Sequence, residues 1–75
     1  MRIYQTKGEQ NMTLKECREE RNLSTTQIAK KMGITGKQYV FYENNPEEIP
    51  ADLAISFASI VERHIDDIFF THHSN

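Results

Sequence analysis

Residues 25–43 read TTQIAKKMGITGKQYVFYE, and the pattern in this stretch decides the fold. Ile28 and Met32 are four residues apart, which places them on one face of a helix. Tyr39 and Tyr42, three apart, do the same on a second segment. Gly33 interrupts between them, shortly after the basic pair Lys30 and Lys31. Glycine adopts a left-handed backbone without steric penalty, so it ends the first helix cheaply. Thr35 is then placed to cap the next helix. Ala29 sits where a larger side chain would hold the two helices apart. Two short helices at a steep angle, joined by a glycine turn, make a helix-turn-helix.

Upstream, Thr13 to Glu16 reads T-x-x-E, a capping box that starts a helix ending at Asn22. Leu14, Cys17 and Arg18 share one face of it, and Leu23 turns into the core. Ser24 to Gln27 reads S-x-x-Q, a second capping box that starts the helix of Ile28 and Met32. The next helix covers residues 35–44, counting its Thr35 cap. Downstream, Asn44-Asn45-Pro46 breaks the pattern and Pro50 resets it. A fourth helix begins near Pro50, with the proline in the first turn and Asp52 favourable to the dipole. Its buried stripe is Leu53, Ala54, Phe57, Ala58 and Val61. A short fifth helix from His64 to Phe69 presents Ile65, Ile68 and Phe69. The expected architecture is all-α: a compact five-helix bundle over residues 13–70. A flexible arm over 1–12 precedes it and a frayed tail over 71–75 follows.

With 75 residues there is room for one small domain. The apolar fraction is 37% with no tryptophan, so such a core leaves a net stability of roughly 3–5 kcal/mol. No apolar run approaches a membrane span and the N-terminus carries no signal-peptide pattern, so a cytoplasmic protein is the default. Cys17, the one cysteine, excludes an internal disulfide and a thiolate metal site; it reads as a small core residue. His64, His72 and His73 lack co-ligands, and Asp66-Asp67 reads as an exposed turn. No nucleophile–base set and no phosphate-cradling loop is present. The chain therefore reads as a non-enzyme without cofactors. The net charge is −2, but it is unevenly spread. Residues 1–37 hold eight of the nine Lys and Arg against four acids, while residues 38–75 hold Arg63 against seven acids. A basic half and an acidic half suit a protein with one face towards phosphate. The helix-turn-helix is commonly used to place its second helix in the DNA major groove.

Four motifs at this spacing carry a resemblance: LKECREERNLS (14–24), IAKKMGIT (28–35), YEN (42–44) and IDDIF (65–69). Together they resemble the Cro/phage-repressor family, also called the XRE family, of lambda-repressor-like DNA-binding domains. The resemblance covers about residues 13–69 and implies several roles. Arg18 matches an arginine that pairs with a glutamate at the end of the second motif helix, here Glu43; a bidentate pair would lock two helices together. Asn44 matches a contact to the DNA backbone. Thr25 stands where the family usually has a phosphate-bonding glutamine. Thr35, Gly36, Lys37, Gln38, Val40 and Phe41 match the groove-facing stretch. Here Lys37 suits guanine, Gln38 suits adenine or phosphate, and Gly36 leaves backbone N–H groups open to phosphate. Val40 and Phe41 are departures: they suit thymine methyl groups or a protein partner. Glu62 stands where the family often has glycine closing the fourth helix.

The resemblance implies a sequence-specific transcriptional regulator, a repressor acting as a homodimer on double-stranded DNA with two-fold-related half-sites. Ile65, Phe69 and Phe70 are its dimer-interface candidates, since the family commonly dimerises through C-terminal helices. The small size resembles regulators of phages and other mobile elements. The competing expectation is an antitoxin-like or anti-repressor-like protein-interaction module on the same fold, with weak DNA binding.

Overall fold

The computed structural model describes residues 12–68 and residue 70. The expected arm over 1–12, apart from Met12, the tail over 71–75, and Phe69 lie outside the described residues. Four α-helices are present among those described: α1 (Leu14–Glu20), α2 (Thr25–Met32), α3 (Gly36–Asn44) and α4 (Ala51–Val61). Single 3-10 turns follow α3 (Pro46–Glu48) and α4 (Ile65–Asp67).

Each of the first three helices starts with a reciprocal capping box. Thr13, Ser24 and Thr35 accept from the N–H of Glu16, Gln27 and Gln38, whose side chains return to the cap N–H groups. The third box, between Thr35 and Gln38, goes beyond the simple cap expected there. Pro50 precedes α4 as its cap residue, one position earlier than the first-turn placement read from sequence.

Three helices end alike. Asn22, Gly33 and Glu62 all have positive φ, at 59°, 77° and 58°. At each, the N–H of the following residue reaches back to the carbonyl five residues earlier: Leu23 to Arg18, Ile34 to Ala29 and Arg63 to Ala58. The left-handed residue itself donates three back, to Glu19, Lys30 and Ser59. These paired bonds define the Schellman turn. Glycine adopts the conformation freely and asparagine tolerates it, whereas Glu62 is strained there.

α2 lies against both α3 and α4. The core is Leu14, Cys17, Ile28, Ala29, Met32, Tyr39, Phe57, Ala58, Val61 and Ile68, all buried, with Leu23, Ile34, Tyr42, Ile49, Leu53 and Ile60 packed at its edge. The Tyr39 and Phe57 rings stack at 6.2 Å between centroids, which fixes α3 on α4. Truncating a fully buried phenylalanine costs about 3–5 kcal/mol. That is as large as the net stability expected of a core this size, so Phe57 decides whether the chain folds.

The expected fifth α-helix does not form among the described residues. Between Glu62 and Ile68 the chain makes one 3-10 turn, Ile65–Asp67. Segments this short do not support a helix nucleus. Ile68 instead adopts extended backbone and is buried. It forms an isolated parallel bridge with Met12, whose N–H donates to Asp67 at 3.0 Å.

Candidate nucleic-acid interface

α3 has two unlike faces. Inward lies Tyr39, fully buried, with Tyr42 and Glu43 half-buried beside it. Outward lie Lys37, Val40, Phe41 and Asn44, all exposed. Their spacing of i, i+3, i+4 and i+7 makes one continuous stripe. Val40 is 40% and Phe41 50% exposed, high values for large apolar side chains. Phe41 leans edge-on against Tyr42, with ring centroids 5.7 Å apart.

The inward face is held by a buried polar cluster. Arg18 Nε donates to Glu43 Oε2 at 2.7 Å, and Arg18 Nη1 donates to the Leu23 carbonyl at 2.8 Å. Tyr39 donates its hydroxyl to the same Glu43 oxygen at 2.6 Å. The ion pair therefore forms as expected but is not bidentate, because the second arm of Arg18 fastens the turn after α1. Only 11% of either side chain is exposed. The hydrogen bond to Glu43 raises the Arg18 pKa. Burial, followed by the bond to Glu43, pushes the Tyr39 phenol well above its ordinary range.

The starts of α2 and α3 converge. A methyl group at Gly36 would sit 3.9 Å from the Thr26 hydroxyl. Thr26 is exposed and Thr25 half-buried. The structure thus sets Thr26, which the sequence reading missed, beside Gly36, with Thr25 next to it in α2 and Thr35, Lys37 and Gln38 flanking Gly36 at the start of α3. The signal was available: the capping box at Ser24 fixes Thr26 in the first turn of α2, off the face that carries Ile28 and Met32. Helix N-termini carry partial positive charge and free N–H groups, which favours anions. Gln38 is less free than expected. Its Oε1 accepts from the Thr35 N–H at 3.1 Å, leaving only its amide N–H groups to face outward. Asn44 is exposed and has no side-chain hydrogen bond among the described residues. The neighbouring Asn45 closes the helix instead, donating Nδ2 to the Phe41 carbonyl at 3.0 Å.

Part of the basic half is neutralised internally. Arg18 pairs with Glu43 and Arg21 with Glu62 at 3.2 Å, while Glu20, an acid of the same half, pairs with Arg63 at 2.7 Å. Lys15, Lys30, Lys31 and Lys37 remain exposed and outside ion pairs among the described residues. Of these only Lys37 belongs to α3. Arg21 and Lys31 also line a shallow hollow of about 560 Å³ with Leu23, Ile60 and Glu62, apart from every residue matched to DNA contact. Among the described residues no three His, Cys, Asp or Glu are arranged to hold a metal ion, and no helix is long and apolar enough to cross a membrane.

Of the interface candidates for a second copy, Ile65 is 41% exposed. Phe70 is half-buried, its ring edge-on to Phe57 at 6.4 Å. Ile55, on the outer side of α4, is 61% exposed.

A helix-turn-helix family model matches residues 14–68. No curated protein and no solved structure matches the chain. The family match spans most of the 75 residues and covers all four helices. The chain belongs to the XRE family of helix-turn-helix domains, a family of DNA-binding transcription regulators.

Proposed function

We propose that the protein is a transcriptional repressor that binds double-stranded DNA as a homodimer, with α3 in the major groove. The observation carrying this reading is the exposed stripe Lys37, Val40, Phe41 and Asn44, bordered by the convergent starts of α2 and α3. Thr25, Thr26 and Thr35, with the backbone N–H groups around Gly36, face phosphate. Lys37 and the amide of Gln38 donate to base edges or phosphate. Asn44 anchors the far end of the helix to the backbone. Ile65, Phe70 and Ile55 contribute to the contact between copies. The mechanism is steric: a dimer seated on two half-sites about 34 Å apart occludes a promoter. Footprinting of DNA around the protein's own gene tests this, together with run-off transcription from that promoter. Two protected half-sites and falling transcript with added protein are expected. Protection of a single half-site, or undiminished transcript, contradicts it.

A second reading is favoured by the 50% exposure of Phe41 and the single lysine of α3. In it the same face captures a protein partner and DNA binding is weak. Phe41→Ser then abolishes partner capture and leaves feeble DNA binding unchanged.

A further inference from the structure

We propose that Val40 and Phe41 read the 5-methyl groups of pyrimidines, so that the target DNA carries thymine opposite the middle of α3. This rests on the DNA-binding reading above and names the chemistry by which that surface selects a sequence.

The outward stripe has polar groups only at its two ends, Lys37 and Asn44. The neighbouring polar groups offer little to its middle. Glu43 lies on the inward face of α3, held by Arg18 and Tyr39. Gln38 has its oxygen turned to the Thr35 cap and keeps only its amide N–H groups free, beside Lys37 at one end of the stripe. Asn45 is turned back onto the Phe41 carbonyl. Between the ends, Val40 and Phe41 stand side by side with no hydrogen-bonding atom beyond the helix backbone. Within the major groove the one apolar feature of a base pair is the thymine C5-methyl group. Cytosine, adenine and guanine offer only donors and acceptors there, which an apolar side chain desolvates without replacing. Phe41 is also steadied by its edge contact with Tyr42 at 5.7 Å, so the ring meets DNA already oriented. A DNA occupant is favoured because the stripe begins beside the Thr26–Gly36 junction, where two helix N-termini suit phosphate.

The test is selection of a binding sequence from a random duplex pool, followed by replacement of thymine with uracil. Uracil removes the methyl group and leaves every hydrogen bond of the pair. The selected sites are expected to carry thymine at the centre of each half-site. Each central thymine-to-uracil change is expected to weaken binding about fourfold, the transfer worth of one buried methyl group. Phe41→Ser and Val40→Ser lie on the surface and are expected to melt like the parent protein. In Phe41→Ser the ratio of affinities for thymine and uracil duplexes is expected to shrink towards one. Equal binding of both duplexes by the parent protein overturns the methyl reading while leaving DNA binding in place. Undiminished discrimination in both variants also overturns it. Failure of the selection to enrich any sequence overturns the DNA reading and this inference together.

Discussion

Arg18 Nε meets Glu43 Oε2 at 2.7 Å, across 25 residues of sequence, and this bond ties α1 to the last turn of α3. The Tyr39 hydroxyl, from the same helix, holds that oxygen at 2.6 Å, so the carboxylate is set in place and its bond to Arg18 fixes the rotation of α3 about its own axis. That rotation decides which side chains form the outward stripe. Removing one partner of a buried pair leaves an uncompensated charge. Arg18→Met is therefore expected to destabilise by about 3 kcal/mol, enough to unfold much of the population. Adding Glu43→Leu is expected to recover part of that loss. Denaturant titration of the two single variants and the double variant measures the coupling; strict additivity would contradict it.

Glu62 closes α4 with φ of 58° and makes an exposed contact to Arg21 at 3.2 Å. Relieving the left-handed conformation outweighs loss of a surface ion pair, which is worth little. Glu62→Gly is expected to stabilise by about 0.5–1 kcal/mol. An unchanged or lowered denaturation midpoint would contradict the strain at this position.

How far the sequence foretold all this varies by element. The helix starts were legible because T-x-x-E and S-x-x-Q are local signals, complete within four residues. The turn at Gly33 was legible for the same reason. The end of the chain was not. Ile65, Ile68 and Phe69 mimic helical spacing, but the residue that decides the outcome is Met12, more than fifty positions away. It pairs with Ile68 and draws it into extended backbone. The Arg18–Glu43 pair came from family resemblance, since nothing local links residues so far apart. Its single-bond geometry depends on the Leu23 carbonyl taking the second arm of Arg18. At the candidate interface, the positions of Lys37, Val40 and Phe41 followed from helical period. The turning of Gln38 towards its cap was legible too, because Thr35-x-x-Gln38 is the same kind of four-residue signal, whereas the nearness of Thr26 to Gly36 required the packing of α2 on α3.

Gln38 allows its two roles to be separated. Its Oε1 supports the Thr35 cap, and its amide N–H groups remain outward. Gln38→Glu keeps the acceptor and places a negative charge at a helix start, where the dipole favours it. Thermal stability is expected to hold or to rise by a few tenths of a kcal/mol, while DNA affinity falls at least tenfold. Unaltered affinity in a titration would exclude position 38 from the interface.

Burial holds the Cys17 thiol to a pKa of about 11, above its ordinary value of 9.0. The folded protein keeps this proton between pH 9 and 11, whereas the unfolded chain releases it. Stability is therefore complete below pH 9 and declines by about 2 kcal/mol on raising the pH to 11. Tyr39, also raised by burial, adds loss of the same sign beginning above pH 10. Cys17→Ala is expected to flatten the decline between pH 9 and 10, measured by denaturant midpoints at each pH. A decline of the same slope in Cys17→Ala would assign it elsewhere.

Fluorescence anisotropy bears most directly on DNA binding. The purified protein is titrated into duplex from around its own gene, and into a scrambled duplex, across a salt series. The native duplex is expected to bind at least about a thousandfold more tightly at physiological salt. The logarithm of its binding constant should fall linearly as the logarithm of salt concentration rises. Equal and feeble binding of both duplexes would contradict a DNA regulator and turn the Val40–Phe41 face over to a protein partner.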